Sequence, residues 1–303
     1  MLALSTAWNV KRYQNGKSLV EEIIDMGFSA IELNVEVTEQ MLDEILILYK
    51  KGKIKIVSLH NFCPKLTKVP SGRSLMGAYL LSSCDGEERK KAVELTKRTI
   101  DFAHLLNAEA VVIHAGEVAI ESRAKEIFNY CAQGQRGLCK KLISEVLNRR
   151  EKEKAVYFSN TLKSLEEISN YSERFNIKLG MENRFFHHEI PSFEEIRLIL
   201  EHFPGRNVYY WHDTGHARVA QKLGLVDSDE SFLKEYSDKL LGIHLHDIIG
   251  FSDHHSPGNG EINFEIVSSY LNHHTIKVLE PHDISLREDV ISSRGYLQNL
   301  GIA

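Results

Sequence analysis

Eight short apolar runs of strand length recur along the chain, with amphipathic stretches of helical length between them. The runs are Leu2–Ala7, Ala30–Leu33, Ile54–His60, Ala110–His114, Lys178–Glu182, Val208–Asp213, Leu241–His246 and Thr275–Glu280. The intervening segments carry apolar residues at helical spacing. Gly86–Leu106, for instance, puts Ala92, Leu95, Ile100, Ala103 and Leu106 on one side. The others are Ser18–Met26, Thr38–Lys50, Phe158–Phe175, Ser192–His202, Asp229–Ser237, Phe264–Leu271 and Ile284–Asn299. Strands alternating with helices build a parallel sheet, because only a crossover returns the chain to start the next strand in the same direction. Eight such units close into a (β/α)₈ barrel. An open doubly wound sheet would place a G-x-G-x-x-G turn after the first strand. Here that strand runs into Trp8-Asn9-Val10-Lys11-Arg12. The 303 residues suit one such barrel, so residues 1–303 are expected to form a single α/β domain. Two insertions stand out: a long loop, Asn61–Asp85, after the third strand, and a largely helical excursion, Glu117–Val156, after the fourth. The charged run Arg149–Lys154 reads as a solvated helix face.

Composition narrows the function classes. A formal charge of −5 gives no support to binding a nucleic acid by bulk electrostatics. No segment approaches the ~18 apolar residues of a membrane span, and Met1–Trp8 has no basic leader. Cys63, Cys84, Cys131 and Cys139 form no C-x-x-C pair and are expected to be reduced thiols in a cytoplasmic protein.

The chemistry is written at the strand ends. From the third strand to the eighth, the runs finish at His60, His114, Glu182, Asp213, His244 and Glu280. The last four are separated by 31, 31 and 36 residues, one βα unit each. In a barrel, such positions converge on the C-terminal mouth, where active sites of this fold sit. Carboxylates and imidazoles meeting there need a cation, and both are ligands for Zn²⁺ or Mn²⁺. His187-His188 and His273-His274 lie outside this series and are expected at the surface or in loops.

The ordered motifs V-S-L-H, V-I-H-A-G, M-E-N-R, H-D-T-G-H-A, H-L-H-D, D-H-H-S-P-G-N-G-E-I-N-F and L-E-P-H resemble the xylose isomerase-like TIM-barrel superfamily. That group includes sugar-phosphate isomerases and epimerases and the endonuclease IV family. The resemblance implies a central metal held by Glu182, Asp213, His244 and Glu280. It implies a second metal at His60 and His114 with Glu182 bridging, and a third at His216 and His254, so one to three ions in all. The family pattern at the third site is Asp-x-His with Gly four residues later. Counting back from Gly258 gives His254, and the Asp position is then Ser252, with Asp253 adjacent. Whether Asp253 replaces the missing ligand is left open by the sequence.

The favoured expectation is a metal-dependent isomerase or epimerase acting on a small sugar or sugar phosphate through an enediolate. Glu182 and Glu280 would be acid/base groups as well as ligands, and His216 would polarise a substrate oxygen. Arg184, two residues past Glu182, would hold a phosphate or carboxylate, or pair on the barrel rim. His246 and Glu32 are further candidates for substrate contact; Glu32 reads equally as a buried structural carboxylate. The alternative is an endonuclease IV-like phosphodiesterase cutting at abasic DNA sites, for which His60 and His114 would hold the extra metal. Oligomeric state is open.

Overall fold

The computed structural model describes residues 1–303. Eight strands form the barrel: β1 (Leu2–Ser5), β2 (Ala30–Leu33), β3 (Lys55–His60), β4 (Ala110–Ile113), β5 (Lys178–Glu182), β6 (Val208–Asp213), β7 (Leu240–Leu245) and β8 (Ile276–Leu279). They lie side by side in chain order, all parallel, and β8 closes onto β1. Each lies within a residue or two of its apolar run, which is the usual latitude of strand ends. Ten helices follow: α1 (Gly16–Asp25), α2 (Glu39–Lys50), α3 (Gly86–Leu105), α4 (Ala124–Ala132), α5 (Arg136–Glu173), α6 (Phe193–His202), α7 (Thr214–Lys222), α8 (Ser231–Tyr236), α9 (Phe264–Ser268) and α10 (Arg287–Asn299). Side chains set several starts. Thr38 caps α2 through the Met41 N–H, Asp85 caps α3 through Glu87 N–H, and Ser192 with Glu195 forms a capping box on α6.

Strand alternation fills the barrel below the mouth. On β6, Tyr210 packs outward among the helices, and Trp211 turns inward with Ala3, Ala30, Val57, Ala110, Val112, Leu241, Ile276 and Val278. Three of these neighbours, Ala3, Ala30 and Ala110, are small. Gly180 and Gly242 sit on the two adjoining strands. A Cβ at Gly242 would lie 2.3 Å from Trp211 Cζ3, and one at Gly180 2.7 Å from Cε3. The indole is the floor on which His244 rests, ring centroids 5.2 Å apart.

Four expectations need correction. First, α7 was missed: it begins directly after β6 because the Asp213 side chain caps it, accepting the His216 N–H at 2.7 Å. Second, α5 runs unbroken through the region split in the sequence into an excursion and a helix. No Gly or Pro interrupts 138–173, and Arg149–Glu153 and Lys154–Glu151 pairs support the turn between. Third, Arg150 is not on a solvated face. Helical period puts it with Cys139, Leu142 and Val146, and its guanidinium bonds Glu195 at 2.6 Å and the Glu189 carbonyl at 2.9 Å. Fourth, Cys131 and Cys139 are joined by a disulfide rather than free, since the turn between α4 and α5 brings their Cα atoms to 5.5 Å. Cys63 and Cys84 are free. No helix is long and apolar enough to cross a membrane.

Filling the space around the indole predicts a local cost. Gly242→Ala should lower the unfolding free energy by about 1–3 kcal/mol through overpacking, read as a shift in the urea midpoint. An unchanged midpoint would contradict Trp211 as a filled floor.

Candidate metal centre

Parallel register brings the strand-end groups level. Asp213 on β6 stands opposite His244 on β7, His244 stands opposite Val278 on β8, and Glu280 follows two residues on. Glu182, Asp213, His244 and Glu280 each offer a donor atom within 4.8 Å of the others. His244 Nδ1 is the hub, 2.7 Å from Glu182 Oε1, 3.0 Å from Glu280 Oε2 and 3.8 Å from Asp213 Oδ2. All four residues are 3% exposed or less. Burial, with the neighbouring charges of Glu32, Glu182 and Asp213, pushes the Glu280 carboxyl up to about 8. Burial also opposes charge on His244, yet Glu280 and Glu32 outweigh it and raise the imidazole well above its ordinary value. Three carboxylates and one imidazole in a dry site fit a divalent ion, and this cluster can hold one.

Glu32 stands behind His244. It is fully buried at the end of β2, and both its oxygens lie 3.1 Å from His244 Nε2. Ser58 donates to it at 2.7 Å. A carboxylate behind an imidazole holds the proton on Nε2 and leaves Nδ1 free to bind, the support that metal-ligating histidines commonly have.

Asp213 is fixed from three sides. Its backbone N–H donates to Asn183 Oδ1 at 2.7 Å, the Asn183 amide donates to its carbonyl at 3.1 Å, and its carboxylate meets His246 Nε2 at 2.9 Å. His246 is bonded at both ring nitrogens. It is fully buried, and its Nδ1 accepts the His254 N–H at 2.9 Å, so its proton sits on Nε2 facing Asp213. Thr214 ties the same region together, donating to the His246 carbonyl at 2.7 Å.

Sequence reasoning also missed Asp247, which is buried and accepts five backbone N–H groups, from Ile248, Gly258, Gly260, Glu261 and Ile262, at 2.8–3.0 Å. Gly260 has to lack a side chain, since a Cβ there would lie 2.4 Å from Asp247 Oδ1. This anchor folds 256–262 back, beside the hairpin of Asp247–Ile249 and Ser252–His255 that carries His254. The signal was present as Asp directly after H-L-H, followed by P-G-N-G.

The second predicted group also assembles. His60, His114 and Glu182 offer donor atoms within 4.8 Å, with His60 and His114 rings 4.7 Å apart. Glu182 Oε2 lies 2.6 Å from His114 Nε2. Arg184 enters the same space, its Nη1 3.0 Å from both Glu182 Oε2 and His114 Nε2. Burial, then Arg184, lowers His114 to about 3, so it is neutral at neutral pH. Arg184 forms ion pairs with Glu182 and Glu189. His114 and Arg184 close the inner end of a cavity of about 300 Å³, whose other polar lining includes Asn61, Ser74, Ser122, His188 and Glu189. His188 faces this cavity and His187 is buried, so this pair lies in a loop but not at the surface.

The third group differs from the expected set. Donors of His216, His246 and His254 come within 4.8 Å of one another. His216 Nδ1 bonds the Asn183 carbonyl and His254 Nδ1 the Glu280 carbonyl, each at 3.0 Å, which leaves both Nε2 lone pairs available. His246 has neither nitrogen to spare. Asp253 does not fill the gap, since its Oδ2 is 4.0 Å from His254 Nε2 and outside the group.

The family described as xylose isomerase-like TIM barrel matches residues 20–298. The chain belongs to that family. Two proteins of Methanocaldococcus jannaschii, the uncharacterized proteins MJ1311 and MJ1614, are 27% and 26% identical over 60% and 61% of this chain. The chain's match covers 53% and 58% of those proteins, so it spans little more than half their length. Among solved structures, a D-tagatose 3-epimerase-like protein superposes over 99% of this chain and 96% of its own, with TM-score 0.68 and 20% identity. D-Psicose 3-epimerase from Clostridium cellulolyticum H10 gives 0.70 over 99% and 98%, at 13% identity. A 3-keto-D-glucoside 4-epimerase from E. coli gives 0.69 over 98% of both chains, at 12% identity. At these identities the likeness is one of fold.

The support under His244 is testable. Glu32→Gln should weaken Mn²⁺ binding by roughly 10–100-fold, measured by titration calorimetry, with the fold intact. Unchanged affinity would contradict the role given to Glu32.

Proposed function

We propose that the protein is a divalent-metal-dependent isomerase or epimerase of a small sugar. What supports this reading is one arrangement: Glu182 from β5 and Glu280 after β8 meet on either side of His244 Nδ1, next to a cavity of sugar size. One carboxylate removes the proton on the carbon beside the substrate carbonyl and the other returns it. Their environments are pushed apart, as an acid and a base require. Against the cost of burial, His114 and His244 hold Glu182 well below the usual carboxylate range, whereas Glu280 is pushed up to about 8. A metal bound by the four strand-end residues supplies Lewis-acid stabilisation of the negative charge that builds on the substrate oxygens. His216 polarises a substrate oxygen.

Lining chemistry favours an uncharged sugar over a sugar phosphate. Arg184 is the cationic side chain in the cavity wall, and Glu182 and Glu189 already match it. Hydroxyl and amide groups of Ser74, Ser122 and Asn61 remain to meet sugar hydroxyls. The second reading is phosphodiester cleavage at abasic sites, favoured by the grouping of His60, His114 and Glu182.

The test is proton exchange. Mn²⁺-loaded protein in D₂O should introduce deuterium at the carbon beside the carbonyl of D-tagatose or D-fructose, the sugars found with two of the structural neighbours. Glu280→Gln should slow this by about 10²–10⁴-fold. Undiminished exchange in the variant would contradict the mechanism. Nicking of an abasic-site duplex, with no exchange into either sugar, would favour the phosphodiesterase.

A further inference from the structure

Glu182 faces two ways. Its Oε1 turns to His244 Nδ1 at 2.7 Å, toward the four-residue centre, and its Oε2 turns to His114 Nε2 at 2.6 Å. That is how a carboxylate bridges two cations. The second cation of this pair is already in the chain. Arg184 Nη1 lies 3.0 Å from Glu182 Oε2, 3.0 Å from His114 Nε2 and 3.4 Å from His216 Nδ1.

We infer that the Arg184 guanidinium takes the place of a second metal ion and holds the site to one divalent cation. The side chain is fixed, not a flexible cover. Its Nε and Nη2 both donate to Glu189 Oε1, at 3.0 and 2.8 Å, so each of its three nitrogens has a carboxylate partner. Glu189 is itself held by the Phe186 N–H at 3.0 Å and by the short ladder pairing it with Glu117. The side chain is 11% exposed, and a guanidinium does not lose its proton in a protein. The charge is therefore permanent and stationed on the two ligand atoms, Glu182 Oε2 and His114 Nε2, that a second ion would need. A divalent ion sharing them would be repelled by the guanidinium in a poorly screened interior. His60 and His114 are then left as neutral walls beside the centre.

This inference rests on the proposed central metal site, and metal counting separates the two. Full-length protein dialysed against Mn²⁺ and assayed by elemental analysis should hold one ion per chain. Arg184→Ala should hold two, and Arg184→Ala with His114→Ala should return to one. Electron paramagnetic resonance gives an independent signature, an isolated Mn²⁺ spectrum in the wild type and a spin-coupled pair in Arg184→Ala. Should Arg184→Ala fail to fold, Arg184→Met removes the charge at similar bulk and is expected to give the same two-ion result. Two ions in the wild type, or one ion in a folded Arg184→Ala or Arg184→Met protein, would overturn the inference alone. An ion-free wild type would overturn the central-site reading, and this inference with it.

Discussion

His244 is held among four buried carboxylates, Glu32, Glu182, Asp213 and Glu280, and much of the barrel's upper half serves that contact. Charges this far from water are costly unless they are paired. The chain meets that cost with an imidazole bonded at both nitrogens, a guanidinium on Glu182 and a second imidazole on Asp213. The floor belongs to the same design. Trp211 occupies the space that side chains at 180 and 242 would take, and it supports the His244 ring from below. The barrel thus sets the height of the site and the strand register sets its level.

Supports around the site are as specific as the candidate ligands. Asn183 clamps the Asp213 backbone, Glu32 holds His244 Nε2, and Asp247 gathers five N–H groups into the loop next to His254. None of these groups lines the cavity. They make the donor set stiff, which is what separates a binding site from a chance meeting of charges. Three candidate cation positions are consequently unequal. The four-residue centre brings three carboxylates and an imidazole together, the His60–His114–Glu182 position contains a guanidinium, and the His216–His254 position lacks a third donor that is not already used.

The barrel was legible in the sequence because buried parallel strands are short apolar runs, and because each polar residue that ends one stands in isolation from apolar neighbours. Glu182, Asp213, His244 and Glu280 were readable for that reason, at spacings of one βα unit. What escaped depends on contacts distant in the chain. Nothing local distinguishes Glu32 as a partner of His244, 212 residues away, from a carboxylate facing substrate. Arg184 reads as an anion-binding residue until Glu189 is seen to engage it. Asp213 announces a strand end, and its second task as the cap of α7 hid that helix inside the H-D-T-G-H-A motif. At Arg150 the charge suggests solvent, whereas helical period places the side chain with Cys139, Leu142 and Val146.

The proposed function depends on one divalent ion lying among Glu182, Asp213, His244 and Glu280. Anomalous diffraction from crystals of the Mn²⁺-loaded protein tests this directly. The expected result is a single strong peak at coordination distance from His244 Nδ1 and from a carboxylate oxygen of each of the other three residues. No peak at that position, or a main peak among His60, His114 and Glu182, would contradict it.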